Sequence, residues 1–441
     1  MTFTKGEQHD PDALAHARRI VHGSPAVEVA RRVRELVAEN ESWRGRRCVN
    51  LIAAESPTSP TVRALLATEV GTRASGGHIG PLTRCFPGLG TIDEIEALCV
   101  ELLKKAFGAA FADHRLMGGM AGCMAAVTAL TEPGDAVMSL PLPMGGDSSG
   151  RSDGPPGVRG LTVLDIPCDD DGLTVDLDRF RAVAERHRPR LVSINQATCL
   201  FPLPVRELKD VVAQWGGRLY FDGAHQAGLI AGGCYPNPLA DGADVLTGSG
   251  GKTFSGPQSG IIAWNDEALS RPIVSTIFPV LTGSHQINRV AALAVATAEM
   301  LEYGAQYMYQ TVANAVALAS ALAAEGFDVF AADRGYTSTH QIIVDVRAVG
   351  PGIEVAQSLE RANIMVNKML LPSDPDTPDA EPSGIRLGTV EVTRLGMREE
   401  HMACIASFVR RVLLDRVAVD VVRKEVEEFR EQFQRLHYCF E

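Results

Sequence analysis

The sequence lacks a pair of cysteines at Cys-x-x-Cys spacing, although nine cysteines are scattered along its 441 residues. An odd number of dispersed cysteines is typical neither of a disulfide framework nor of a cysteine zinc site. We therefore expect reduced thiols in a cytoplasmic protein, and no metal site.

The chain also has no apolar run of about 18 residues, the length that a membrane span needs. Its Ala-rich stretch 290–300 follows Arg289 and contains Glu299, and its first eleven residues are too polar for a signal peptide. The formal net charge of −12 disfavours binding to a nucleic-acid backbone, although a local basic pocket is compatible with a small anionic ligand. The expected partners are small molecules rather than membranes or nucleic acids.

Short apolar segments alternate with amphipathic ones between about 50 and 280. This alternation predicts a mostly parallel sheet covered by helices on both faces, and hence an α/β fold. The predicted strands are 136–140, 191–194, 218–222, 245–246 and 261–263, and the predicted helices are 175–185 and 205–215.

The pattern changes on both sides of this region. Charged helical residues precede it, and a long Ala-rich helix, interrupted near Gly304, follows it. Strands at 341–346 and 385–388 with helices at 353–362 and 397–436 then predict a smaller α/β domain. The predicted division is an N-terminal helical arm at 1–49, a large domain at 50–284, a bridging helix at 285–325 and a C-terminal small domain at 326–441.

Three short segments carry residues suited to chemistry. Asp222 ends a buried strand, where open α/β sheets bind ligands, although it is also compatible with a loop or helix-cap role. Lys252 follows a strand among small residues, where its amine can condense with an aldehyde. A phosphate-binding Walker loop is the alternative for Lys252, but Leu246 stands where that motif requires its first glycine.

The third segment, Met117 to Gly122, is a glycine-rich entry to a helix, which suits either phosphate binding or close packing. A phosphate cup, an Asp and a Lys follow one another in this order in pyridoxal phosphate (PLP) enzymes of the aspartate-aminotransferase type.

The chain resembles the serine hydroxymethyltransferase family over most of its length. The similar segments are 50–60, 132–135, 221–230, 252–257 and 383–389. The resemblance implies an aspartate-aminotransferase-like PLP fold of type I, with the cofactor in the large domain.

The resemblance also implies a role for individual residues. Lys252 forms the Schiff base with PLP, Asp222 pairs with the pyridine nitrogen, and Arg386 grips a substrate carboxylate unless it is an ordinary surface arginine. His225 is expected beside the cofactor unless it is a core histidine. The other implied cofactor contacts are Gly118, Gly119, Met120, Met144, Thr198 and Ser249, with Thr282, Gly283 and Ser284 lent by the partner of a homodimer, and Ser56 and Phe86 are implied substrate contacts.

Departures from the family cluster on the substrate side. Met144 stands where the family stacks a His on the cofactor, and Gly251 replaces the His before the Schiff-base lysine. The segment that carries a catalytic Glu and two Tyr is replaced by 75–88, in which Cys85 and Phe86 occupy the Tyr positions. Further changes are Ser255 and Gln258 in place of arginines and an acidic run, Asp374 to Glu381, before Arg386. His78 is then a candidate acid or base, or else a solvent-facing loop histidine.

These departures favour a diverged enzyme that performs Cα-carbanion chemistry on an amino acid without folate. Such chemistry includes β-elimination or decarboxylation of a cysteine S-conjugate, as in lincosamide antibiotic biosynthesis, and transaldolase-type C–C chemistry. The alternatives are an authentic serine hydroxymethyltransferase or threonine aldolase, and a catalytically silent PLP-binding interaction protein. Intact Asp222, Lys252 and Arg386 argue against silence.

Overall fold

A computed structural model describes residues 9–377 and 380–440. Residues 1–8 of the predicted arm, residues 378 and 379 of the acidic run and residue 441 lie outside this part. The helices are α1 (Pro11–Gly23), α2 (Ala26–Trp43), α3 (Pro60–Leu66), α4 (Gly90–Phe107), α5 (Gly119–Leu130), α6 (Pro155–Arg159), α7 (Leu177–His187), α8 (Val205–Val212), α9 (Ala227–Ala231), α10 (Ser270–Ser275), α11 (Ile287–Ala324), α12 (Gly352–Arg361), α13 (Val390–Arg394), α14 (Glu399–Leu413) and α15 (Val419–Glu431).

The strands form two main sheets and one short pair. They are β1 (Val49–Asn50), β2 (Phe111–Asp113), β3 (Ala136–Ser139), β4 (Thr162–Asp165), β5 (Leu191–Asn195), β6 (Arg218–Asp222), β7 (Val245–Ser249), β8 (Gly260–Trp264), β9 (Asp328–Val329), β10 (Gln341–Asp345), β11 (Ile364–Met365), β12 (Asn367–Met369) and β13 (Gly384–Gly388).

The large sheet has seven strands in the order β2-β8-β7-β6-β5-β3-β4. Strands β4, β3, β5, β6 and β7 run parallel, and β8 is antiparallel to both of its neighbours. Successive residues of β6 enter the cores on opposite faces, since Tyr220 packs in one cluster and Phe221 in the other. Burial on both faces explains why the central strands are continuously apolar, and it confirms the predicted α/β class.

The small sheet is antiparallel, in the order β12-β13-β10-β9. Its core includes residues of α12, α14 and α15. The predicted helix 397–436 is two helices, because the chain breaks between Leu413 and Val419 and α15 then packs back against α14. No described helix is both long and apolar enough to cross a bilayer.

Helix α11 joins the two cores. Leu293 near its start packs in the core of the large sheet, and Leu318 near its end packs in the core of the small one. The predicted interruption at Gly304 is wrong, because the helix runs unbroken for 38 residues. The close packing here depends on Gly232, just after α9, since a Cβ on Gly232 would lie 2.6 Å from the Gly304 carbonyl.

Candidate active site

The carboxyl ends of three neighbouring strands bring polar side chains together. Asn195 of β5 pairs in register with Asp222 of β6, which pairs with Thr247 of β7. The Asn195 amide lies 3.5 Å from one Asp222 oxygen, and the Thr247 hydroxyl lies 3.4 Å from the other. The backbone N–H of Ala224 donates to Asp222 at 3.0 Å. These three contacts hold the carboxylate in place.

A second set of contacts lies behind this carboxylate. The Cys123 sulfur of α5 lies 3.4 Å from Asp222 and 2.9 Å from the hydroxyl of Tyr220, which in turn lies 2.7 Å from the Thr247 hydroxyl. Burial raises the pKa of Asp222, and the nearby charge of Lys252 acts against this rise. A buried carboxylate of this kind is stabilised in its charged form by a cationic or N–H partner.

Lys252 lies in a tight turn just beyond β7. The turn is closed by the N–H of Ser255, which donates to the Lys252 carbonyl at 3.0 Å, and by that of Gly256, which donates to Gly250 at 2.7 Å. Burial lowers the pKa of the Lys252 amine, while Asp222 and Asp147 oppose the shift. A larger fraction of neutral amine at a given pH favours attack on a carbonyl group.

Helix α5 begins next to these residues. A Cβ placed on Gly119 would lie 3.8 Å from the Cβ atoms of both Ala224 and Ser249. Gly118 caps the helix in an extended conformation, so the first N–H groups of this twelve-residue helix have no partners from the preceding turn. The start of α5, beside the Asp222 and Lys252 loops, is therefore suited to binding an anion.

The arrangement fits pyridoxal phosphate. A helix N-terminus suits its phosphate, a buried carboxylate suits its protonated ring nitrogen, and a lysine with a lowered pKa suits its aldehyde. The glycines at the start of α5 and the small residues Ala224 and Ser249 leave room for such a group.

Two buried histidines lie near this group. The rings of His225 and His340 stack with centroids 5.9 Å apart and planes inclined by 20°. The Nε2 atom of His340 contacts the Ala53 carbonyl at 3.2 Å, while His225 Nδ1 is buried without a partner in the described part of the chain. Burial lowers the pKa of His225, with Lys252 and Arg386 adding to the effect, so the ring is neutral. An unpartnered ring nitrogen here is consistent with a ligand contact at His225.

Arg386 is buried within β13 rather than exposed on a surface strand. It donates from Nη1 to the Ala197 carbonyl and from Nε to the Asn367 amide oxygen at 3.2 Å, and neither bond uses Nη2. Burial lowers the pKa of Arg386 to about 10. The guanidinium therefore remains a cation at neutral pH.

Thr198 follows the Ala197 carbonyl that Arg386 contacts. Its N–H donates to the Gly145 carbonyl at 3.1 Å, and its hydroxyl lies 2.8 Å from the Met369 sulfur. The loop that carries Met144 thus lies against the Thr198 segment. The Met144 sulfur lies on the Gly172 side of that loop, 3.0 Å from where a Cβ on Gly172 would stand.

Asp147 belongs to the same loop, and the sequence analysis gave it no role. Its charge acts on the pKa of Lys252, of Asp222 and of Arg386, so it lies within electrostatic reach of all three. The carboxylate accepts the backbone N–H of Ser149 at 2.9 Å. Its position after two glycines was the available signal, but only the folded loop brings it to the site.

The segment 75–88 forms a hairpin-like loop that carries His78 and Phe86. His78 is exposed, contacts Arg115 at 3.4 Å and packs edge-on against Phe278 with centroids 5.5 Å apart. Burial also lowers its pKa, and Arg115 adds to this shift. Within the described chain, these contacts of His78 do not extend to Lys252 or Asp222. The contacts of Phe86 do not connect them either.

Phe86 lies with the segment Thr282–Ser284. A Cβ on Gly76 would lie 3.5 Å from the Phe86 ring, 3.2 Å from the Gly283 carbonyl and 3.6 Å from the Ser284 hydroxyl. Gly283 and Ser284 are exposed. The predicted phosphate contacts from a second subunit thus lie on the surface, next to the predicted substrate contact.

Ser56 reaches the lysine loop. Its hydroxyl lies 2.7 Å from that of Ser255 and 3.3 Å from that of Tyr307, whose own hydroxyl donates to the Val390 carbonyl at 2.9 Å. The Ser56 hydroxyl therefore links the segment after β1 to Ser255 in the Lys252 turn and to Tyr307 in α11. Tyr307 is a further residue that the sequence did not single out.

Known proteins resemble the whole chain. The family model for serine hydroxymethyltransferase matches residues 28–409. Serine hydroxymethyltransferases are 44% identical in Methanopyrus kandleri, over 92% of this chain and 94% of that protein, and 42% identical in Korarchaeum cryptofilum, over 94% and 98%. Among solved structures, an L-threonine transaldolase from Pseudomonas fluorescens in its internal aldimine state has a TM-score of 0.85 at 26% identity, covering 94% of each chain. These findings confirm the predicted type I fold and indicate pyridoxal phosphate as the cofactor.

Proposed function

The chain belongs to the serine hydroxymethyltransferase family, and on that premise we propose that it cleaves or exchanges the Cα–Cβ bond of a β-hydroxy-α-amino acid without folate. The names of its relatives support the substrate class, because serine and threonine are both β-hydroxy-α-amino acids. The observation that carries the proposal is the buried grouping of Asp222, Lys252 and Arg386, with Asp147 in electrostatic reach of each.

When bound, pyridoxal phosphate supplies an electron sink for negative charge that develops at Cα. Asp222 would pair with the ring nitrogen, since it is a buried carboxylate anchored by Asn195, Thr247 and Ala224. Lys252 would hold the cofactor and then accept or return a proton as a neutral amine, a form that its burial favours.

Arg386 would bind the α-carboxylate of the substrate. Its Nε and Nη1 atoms are used to hold the guanidinium in place, which leaves Nη2 for a charge-assisted contact. A fixed carboxylate orients the substrate, so that one bond at Cα is presented for cleavage.

Independence from folate rests on the substrate side of the site. The family's catalytic Glu is missing from the hairpin-like loop, where no carboxylate occurs between Gly71 and Gly90. Asp147 is a second acidic group near Lys252, besides Asp222, and His78 is a titratable group of the loop itself. We assign proton transfer at the β-hydroxyl to Asp147 in preference to His78, because Asp147 acts electrostatically on Lys252, Asp222 and Arg386.

A second subunit completes the proposed site. Phe86 and the exposed residues Gly283 and Ser284 form one patch in the described chain. With Thr282, they would serve the cofactor and substrate of the partner in a homodimer. We also propose a cytoplasmic location, which the odd number and scattered positions of the nine cysteines support.

The second candidate is a folate-dependent serine hydroxymethyltransferase. The names of relatives at 44% and 42% identity favour it. Incubating the purified enzyme with serine, threonine, glycine and a cysteine S-conjugate in D₂O, each with and without tetrahydrofolate, separates the possibilities. Exchange of the Cα proton together with aldehyde release from serine or threonine supports the proposal. Release of a thiol or of CO₂ from the cysteine S-conjugate would replace the proposed reaction with β-elimination or decarboxylation. Absence of Cα-proton exchange with every amino acid tested would indicate a catalytically silent protein.

A further inference from the structure

A buried group of metal-ligating side chains lies outside the proposed PLP site. Glu96 comes from α4, His114 follows β2, and His285 precedes α11. One carboxylate oxygen and one imidazole nitrogen from each histidine all lie within 4.8 Å of one another, and all three residues are buried. The Glu96 Oε1 atom lies 3.0 Å from His114 Nε2 and also contacts His285 Nε2.

We propose that Glu96, His114 and His285 bind one divalent transition-metal ion, zinc or iron(II). Two imidazoles and one carboxylate are the protein ligands of many zinc and non-haem iron(II) sites. The 3.0 Å separation between Glu96 and His114 matches the edge of a coordination shell with bonds of about 2.0–2.2 Å.

Nearby arginines are held by other partners or orient the ligands. Arg84 contacts the second oxygen of Glu96 and donates to Asp93 at 2.7 Å, which leaves Glu96 Oε1 facing the histidines. Arg289 donates to the carbonyls of His114 and of Arg115 at 3.3 and 3.1 Å, which fixes the backbone that presents the imidazole.

The position of Arg115 completes the charge balance. Its guanidinium forms a bidentate pair with Asp113 at 2.6 and 3.1 Å, so its charge is opposed locally. The competing arrangement is a proton-only network, in which both histidines donate to Glu96. In this proton-only network, as in the structure, the Nδ1 atom of His114 is buried and has no partner among the described residues.

A metal at this point would hold three functional segments together. Arg84 and Ser75 tie the loop of His78 and Phe86 to the cluster, since Arg84 donates to the Ser75 carbonyl and the Ser75 hydroxyl donates to the His285 carbonyl, both at 2.8 Å. His114 precedes the phosphate-binding start of α5, and His285 follows Ser284 directly. The proposed role is structural, and it does not depend on the identity of the reaction.

The test uses the purified holoenzyme, the variant His114→Gln and the control His437→Gln. Glutamine retains an N–H donor for Glu96 but is a poor metal ligand, so it preserves the proton-only network and removes the metal site. His437 is exposed and lies outside the cluster. Elemental analysis of protein prepared without chelators should find stoichiometric zinc or iron in wild type and His437→Gln, and a loss of that metal in His114→Gln.

Melting curves after chelation and re-addition of Zn²⁺ or Fe²⁺ give the second readout. The metal should raise the melting temperature of wild type by several degrees and leave that of His114→Gln unchanged, because an ion stabilises only the state that binds it. Cobalt(II) added to chelated wild type should give visible absorption, which keeps the test independent of variant folding. Absence of bound metal with no thermal response to any of these ions, or an equal response of His114→Gln, would overturn the proposal.

Discussion

Asn195 stands opposite Asp222 in the register of two parallel strands, with its amide nitrogen 3.5 Å from the Asp222 carboxylate. The same amide lies 3.1 Å from the Cys123 sulfur and 3.1 Å from the Ser149 hydroxyl. Asn195, at the end of β5, thus helps to keep the Asp222 carboxylate of the neighbouring strand β6 charged and in place. This relationship makes Asn195 a positioning residue for the proposed cofactor partner.

Replacing Asn195 by Ala should slow chemistry at Cα without releasing the cofactor. Loss of a hydrogen bond to a charged group costs about 1.5–3 kcal/mol, which corresponds to a fall of about one to two orders of magnitude in rate if Asp222 becomes a weaker partner. The measurement is the rate of glycine Cα-proton exchange in D₂O. Asn265→Ala, which removes an exposed contact to the N–H of Ala110, is the matched control. An unchanged exchange rate in Asn195→Ala would remove Asn195 from the account.

Lys252 should be the attachment point of the cofactor. Borohydride reduction of the yellow protein should fix a pyridoxyl group on Lys252, as read by peptide mass spectrometry. Lys252→Ala should abolish turnover and labelling while keeping the fold, and exposed Lys105→Ala should change neither. A label on another lysine would refute the assignment.

Arg386→Lys should already be costly, because lysine keeps the charge but loses the planar fork. We expect kcat/KM to fall by about one to two orders of magnitude, with about 1.4 kcal/mol for each decade. The absorption of the bound cofactor should be unchanged, since Arg386 has no proposed contact with it. Arg347 is exposed and pairs with Asp345, so Arg347→Lys is the control. Wild-type kinetics for Arg386→Lys would contradict its proposed contact with the α-carboxylate.

Glu391 should make stability depend on pH. Burial raises its pKa from 4.5 to about 7 in the folded chain, where Asn50 donates to its carboxyl at 2.6 Å. Between pH 4.5 and about 7 the folded state binds a proton that the unfolded state has lost, so this contribution to stability disappears as the pH rises through that window. The 2.5-unit difference corresponds to about 3 kcal/mol.

Glu391→Gln removes this ionisation while keeping a similar shape. Its melting temperature should exceed that of wild type at pH 8 and match it near pH 4.5, whereas exposed Glu354→Gln should follow wild type throughout. Equal melting temperatures of Glu391→Gln and wild type at both pH values would show that Glu391 does not ionise in this range.

Local patterns predicted most of the framework. Asp222 could be found because it ends a continuous apolar strand, and Lys252 because it follows another within a few small residues. Both features are determined by nearest neighbours in the sequence. The edge strand β4 was missed because its residues are partly exposed and lack the apolar run of the central strands. The glycine at position 304 suggested a break in α11, but the helix continues through it and its carbonyl packs closely against Gly232.

The unpredicted parts of the site depend on distant segments. Asn195 gains its role only from strand register, and Asp147 only from the folding of its loop towards Lys252. The proposed metal ligands at positions 96, 114 and 285 are too far apart in sequence to form a recognisable spacing. The role of His78 stays a prediction.

Formation of glycine from threonine and from serine, measured with and without tetrahydrofolate in the same enzyme preparation, tests the central claim most directly. The account predicts glycine and free aldehyde from at least one of these amino acids at a rate that tetrahydrofolate leaves unchanged, and no glycine with Lys252→Ala. Glycine formation from serine that requires tetrahydrofolate would contradict it.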